Sequence, residues 1–143
     1  MHIVLSLIHS LSQMQVDWFI CRLAGGIAGR LAGRPPIVDL SLERAVQALL
    51  RQAIAEGLLA SSHDSSDGGL AVALAECCIT SGLGAELLVQ DQPSRLDRAL
   101  FGEGGARVVV SVKSEQMEGW QSLIQRHPDV PLQALGRVVD QPR

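Results

Sequence analysis

The chain has 143 residues, a formal net charge of −3 and 47% apolar residues. That length suits one domain with its own core, and that composition excludes an intrinsically disordered chain. The scattered basic residues, the 3% aromatic content and the absence of tyrosine exclude a basic nucleic-acid groove lined with stacking rings.

The apolar stretch Ile3-Val4-Leu5-Ser6-Leu7-Ile8 comes first. It has no basic start and no clean small-residue cleavage site, so it does not read as a signal peptide. Ser10, Ser12, Gln13, Gln15 and Asp17 interrupt it well short of the roughly 18 apolar residues of a membrane span. Gly25, Gly26, Gly29 and Gly33 weaken any helix through this part, so residues 1–31 are expected to be irregular. Cys21, Cys77 and Cys78 are odd in number and lack metal-ligand spacing, which argues against a disulfide framework or a zinc site. They read as small residues in a reducing, cytoplasmic compartment.

Pro35-Pro36 forces extended backbone. Ser41 is the expected cap of a helix with Glu43 in its first turn. Leu42, Val46, Leu49, Leu50, Ala53 and Ile54 form one apolar face, and Gly57 is placed to end it. Leu58 to Ser62 reads as a short buried strand that runs into the polar loop His63 to Gly69. Asp67 is the expected cap of a second helix, with Leu70, Leu74, Cys77 and Cys78 on its buried side and Gly82 and Gly84 at its end. A strand over Ala85–Val89, a polar turn over Gln90–Arg95 and a short helix over Leu96–Phe101 follow. Gly102 to Gly105 forms a loop before the strongest strand, Arg107–Val112. Ser114 starts a third helix in which Met117, Trp120, Leu123 and Ile124 share a face, and His127-Pro128 ends it. Leu132–Val139 is the last strand, with Gly136 as a weak point. Helices alternate with few, short strands, which predicts an α+β fold with helices layered on a mixed β-sheet.

Two loops have the residue types for chemistry. In Ser62 to Gly69, Asp64 is suited to hold a hard cation such as Mg²⁺ beside phosphate oxygens. Alternatively, the Gly68 and Gly69 amides face an anion from the helix start, or Asp67 is only a cap and Asp64 only a turn residue. In Gly102 to Gly105, the glycines allow close backbone approach to a ligand, and Glu103 is able to accept hydrogen bonds from it; a plain flexible turn is the competing reading. This loop is neither a P-loop nor a dinucleotide fingerprint, because no Gly-Lys-Ser/Thr and no helix follow it. Ser62, His63 and Asp64 are sequence neighbours and do not suit a catalytic triad.

The run Ser62-His63-Asp64-Ser65-Ser66-Asp67-Gly68-Gly69-Leu70-Ala71-Val72-Ala73-Leu74-Ala75-Glu76 closely resembles the AHDVSDGGLAVALAE run of the phosphoribosylformylglycinamidine synthase family. Ala99 to Glu103 followed by Arg107 to Val112, Ala32 to Pro36 followed by Asp39-Leu40, and Gly136-Arg137-Val138 resemble further segments of that family, in the same order. The likeness is to the C-terminal domain, of the aminoimidazole ribonucleotide synthetase type, in the second half of the synthetase subunit. It implies a domain over residues 32–143, with residues 1–31 unmatched. It also implies that the chain is a piece of an ATP-dependent ligase of purine biosynthesis, inactive alone.

In that ligase ATP activates the amide oxygen of formylglycinamide ribonucleotide, and ammonia from glutamine displaces the phosphate. The implied cofactors are ATP and Mg²⁺. The implied partners are the remaining synthetase domains, a glutaminase subunit and a small accessory subunit; no nucleic acid and no membrane are implied. The family's catalytic histidine and ATP-contacting lysine lie in regions without a match here, so no catalytic residue is assigned. In the family's first half, the pseudo-symmetric counterpart of this domain, the aspartate matching Asp64 binds Mg²⁺ and the residues matching Glu103, Gly104 and Gly105 touch substrate, which implies the same roles here; Asp67, Gly68 and Gly69 are the expected nucleotide side. Ser65 stands where the family usually has valine, and Gly104-Gly105 replaces a serine-containing loop. The alternatives are a non-catalytic binding or assembly module of the same fold, a related kinase or synthetase such as selenophosphate synthetase or thiamine-phosphate kinase, and a gene remnant.

Overall fold

The computed structural model describes residues 3–8, 38–88 and 96–140. The elements in chain order are β1 (Ile3–Ile8), α1 (Leu40–Ala55), β2 (Ser61–Asp64), α2 (Gly69–Ser81), β3 (Gly84–Leu87), α3 (Leu96–Phe101), β4 (Val108–Lys113), α4 (Met117–Gln125) and β5 (Leu132–Val139), with one 3₁₀ turn at Ser114–Gln116 before α4. Cys21, Pro35-Pro36, Val89 and the expected turn at 90–95 lie outside the described residues.

The five strands form one sheet in the order β2-β4-β1-β5-β3. The layered α+β arrangement is as expected, but every strand pairing among the described residues is antiparallel, and the sheet is not mixed. The reason is topological. The crossovers β4-α4-β5 and β2-α2-β3 do join parallel strands, as strand–helix–strand units should. However, β1 is inserted between β4 and β5, and β2 and β3 lie at opposite edges. No two parallel strands are neighbours. The segment expected to be irregular thus supplies the central strand. Its six residues match the apolar stretch Ile3–Ile8.

Strand β4 has helices on both sides. Val108, Val110 and Val112 face a core with Val46, Leu49 and Ala53 of α1 and Trp120 and Leu123 of α4. Val109 faces the other way, against Leu70 and Leu74 of α2 and Leu135 of β5. A strand buried on both faces reads as an unbroken apolar run, which is how Val108 to Val112 is written. Leu49, Leu123, Val110 and Val112 are fully buried. Deleting Leu49 or Leu123 to alanine costs about 2–5 kcal/mol in such a core.

Several boundaries move for identifiable reasons. Asp39, not Ser41, caps α1: its Oδ1 accepts the Ser41 and Leu42 N–H groups at 3.0 Å each. The apolar face of α1 holds from Leu42 to Ala53, whereas Ile54 is 62% exposed. Gly57 has φ +66; it donates to the Ile54 carbonyl while Leu58 N–H donates to the Ala53 carbonyl, the paired bonds of a Schellman stop. Leu58 is therefore buried by the helix end rather than by a strand. The strand begins at Ser61 and is an edge strand, largely exposed.

Candidate functional site

The two glycine-bearing loops meet at one end of the sheet. Strand β2 runs antiparallel to β4, so Asp64 at its end pairs with Val108 at the beginning of β4. The loop after β2 and the loop before β4 are thereby neighbours. Ser65 N–H donates to the Arg107 carbonyl (2.8 Å), extending that pairing by one bond.

Helix α2 begins differently from expectation. Asp67 is exposed and is not its cap; Gly68 is, at φ +82, and no side chain of the same turn caps it. The run Gly68-Gly69 takes left-handed backbone twice in succession, Gly69 at φ +73, where an L-residue costs about 1–2 kcal/mol. A cap from Asp67 would need the extended backbone that a side-chain cap adopts one residue before the helix. Two left-handed glycines occupy that place instead. The carboxylate that serves the helix start comes from the other loop: Gly68 N–H donates to Glu103 Oε1 at 3.0 Å. A carboxylate at a helix N-terminus also meets the positive end of the helix dipole, and hydrogen bonds to charged groups contribute about 1.5–3 kcal/mol. Gly69 N–H donates to the Ser66 carbonyl at 3.1 Å. The two amides expected to face an anion are therefore both engaged within the chain.

Gly69 is packed where nothing larger fits. A Cβ there would stand 2.7–2.9 Å from backbone atoms of Leu100, Phe101 and Gly102. Gly105 lies against the Glu43 carboxylate of α1, and a Cβ on Gly104 would meet nothing within 4 Å. The structure thus brings Gly68, Gly69 and Glu103 together and leaves Gly104 open. Asp64 and Asp67 are exposed beside them.

Sequence reasoning missed Arg107, which it took as the first residue of a strand. Arg107 is 3% exposed. Its Nη1 donates to the Gly102 carbonyl (2.8 Å) and its Nη2 to the Ala99 carbonyl (3.3 Å). Burial lowers its pKa to about 10, so it stays charged at neutral pH. The preceding Ala106 has φ +57, a left-handed turn that aims the next residue back under α3. A lone arginine between a glycine loop and a valine run was the available signal.

A cavity of about 330 Å³ lies between α2 and the sheet, lined by residues that include Ser61, His63, Leu74, Cys77, Ala85 and Val138. It takes in none of Asp64, Gly68 or Glu103. His63 Nε2 stands 3.2 Å from Glu76 Oε2, and its Nδ1 meets the Asp64 carbonyl at 2.7 Å. That ring is a bridge from β2 to α2. Cys77 and Cys78 are free and half-buried. Burial first, then Cys78 and Glu76, raise the Cys77 pKa, which disfavours the nucleophilic thiolate. Among the described lining residues, His63 and Glu76 are the only basic and acidic side chains.

A family model described as "AIR synthase related protein, C-terminal domain" matches residues 22–143. The chain belongs to this family. It is 56% identical over 115 residues to phosphoribosylformylglycinamidine synthase subunit PurL of Synechococcus sp. (strain CC9902), covering 80% of this chain and 15% of that protein. Against PurL of Nostoc punctiforme it is 49% identical over 114 residues, covering 78% and 14%. The chain spans about 15% of the length of the curated relatives it matches. In fold it is similar to Thermotoga maritima PurL complexed with FGAR, with a TM-score of 0.77 at 17% identity, over 96% of this chain and 24% of that one. It is also similar to Escherichia coli HypE, a hydrogenase maturation protein, with a TM-score of 0.63 at 15% identity, over 98% and 44%. The family match begins at residue 22, inside the segment that the resemblance left unmatched. Among the described residues, no helix is long and apolar enough to cross a membrane.

Proposed function

We propose that this chain works as the C-terminal domain of the second half of a phosphoribosylformylglycinamidine synthase, an ATP-dependent carbon–nitrogen ligase of purine biosynthesis in the cytoplasm. The observation that carries this reading is the 56% identity to PurL over 115 residues. That level is far above the 15–17% that fold likeness alone provides. Relatives of the same fold have been solved as a PurLQS complex and with ATP, which supports the remaining synthetase domains, a glutaminase subunit and a small accessory subunit as partners.

Glu103 and the open Gly104, with Gly105, face formylglycinamide ribonucleotide in this reading. Asp67, Gly68 and Gly69 form the nucleotide side. Asp64 offers one exposed carboxylate, and no group of three or more possible metal ligands exists among the described residues. One carboxylate fits Mg²⁺, which keeps water and phosphate oxygens as its other ligands; Asp64 would hold it from the protein side. ATP, when bound, supplies the phosphoryl group that activates the substrate amide for ammonia. This chain's residues bind and orient, and none of them is assigned the chemistry, so the chain alone is inactive.

The test is reassembly. The chain is mixed with a separately expressed synthetase lacking this domain, and ammonia-dependent formation of formylglycinamidine ribonucleotide is followed. Activity only in the mixture supports the reading. The engagement of both the Gly68 and Gly69 amides within the chain favours a second reading, a non-catalytic assembly module. Stable association that restores no turnover would decide for that module.

A further inference from the structure

A buried guanidinium needs a reason. Arg107 is as buried as the valines that follow it; among the described residues its Nε has no hydrogen-bond partner, and the partners of its other nitrogens are carbonyl oxygens, not a carboxylate. Charges placed this way cost stability unless they hold something in place. What the Arg107 side chain holds is the backbone leading into Glu103, at the Ala99 and Gly102 carbonyls. Its guanidinium grips the carbonyl of Gly102, immediately before Glu103. Its own carbonyl accepts the Ser65 N–H from the loop that leads to Gly68. The left-handed Ala106 between them is a conformation that persists only when its surroundings impose it.

We propose that Arg107 is a positioning residue, which fixes the two glycine loops in the one register where the Glu103 carboxylate reaches the Gly68 amide. Its planar fork suits the task, because it engages two carbonyls, those of Gly102 and Ala99, from one side chain. The value of this placement for ligand binding rests on the function proposed above; the placement itself does not.

The test is amide hydrogen exchange at Gly68, read by NMR in the full chain, with the Val110 amide at the sheet centre as the monitor of folding. Arg107→Met and Glu103→Ala are each expected to speed Gly68 exchange about tenfold or more, the scale of a lost charge-assisted hydrogen bond, while Val110 stays protected. Arg107→Lys is expected to restore part of the protection. The double variant Arg107→Met with Glu103→Ala is expected to exchange no faster than Glu103→Ala alone, because both changes remove one contact. Unchanged Gly68 exchange in Arg107→Met, or additive acceleration in the double variant, overturns the proposal. Should Arg107→Met lose Val110 protection as well, Arg107→Lys decides: faster Gly68 exchange with Val110 held supports the role, and no change overturns it. Failure of the wild-type chain to restore amidation, with the exchange coupling intact, refutes the proposed function and leaves the positioning role standing.

Discussion

Gly69 and Gly104 belong to the two loops that meet at the site, and an added methyl group would find opposite surroundings at them. At Gly69 it would press on the backbone of α3 at 2.7–2.9 Å, from a residue already at φ +73. At Gly104 it would meet open space. The first glycine is an architectural joint, required so that α2 starts against the end of α3. The second has no such packing duty; under the proposed function it is where a ligand approaches the backbone closely. Composition makes the loops look alike, and only packing separates them.

That contrast breaks first at Gly69. Gly69→Ala combines left-handed strain with a backbone clash, and thermal or urea unfolding should show a loss of about 3 kcal/mol or more. A loss below 1 kcal/mol would mean that the α2–α3 joint is looser than described. Ser65 sharpens the contrast within the same loop. Ser65 is 3% exposed, and its hydroxyl has no hydrogen-bond partner among the described residues. Ser65→Ala should therefore stabilise the chain by about 1 kcal/mol, read as a higher urea midpoint at unchanged slope. A lower midpoint would show that the hydroxyl has a partner. The smallest effect belongs to Gly104→Ala, which should leave stability unchanged or raise it by up to about 1 kcal/mol through the unfolded state. In the reassembled synthetase the same variant should weaken substrate binding. Equal stability with equal binding would remove Gly104 from the site.

Much of the fold was legible because its signals are local. The face from Leu42 to Ala53, the stop at Gly57, the face from Met117 to Ile124 and the continuous run of β4 each depend on neighbours in sequence. What was not legible depends on distant partners. The six residues from Ile3 to Ile8, apolar except for Ser6, carry no period that says which strands flank them, so the centre of the sheet passed for an irregular segment. The helix crossovers suggested parallel neighbours, and the insertion of β1 between β4 and β5 is not written in either strand. At the site, the residue types were visible and the pairing was not. Asp67 is one residue from the cap position and looked like the cap, whereas the carboxylate in use comes from Glu103, 35 positions from Gly68. Arg107 read only as the first residue of a strand, because nothing in its own segment shows that Ala106 turns it inward.

The central claim is that Glu103 joins the two loops into one ligand site. The direct measurement is the amidation rate of the reassembled synthetase containing Glu103→Ala, against the wild-type chain at equal folded fraction. A rate reduced about tenfold or more, the effect of losing one hydrogen bond to a charged group, is the predicted result; an unchanged rate would contradict it.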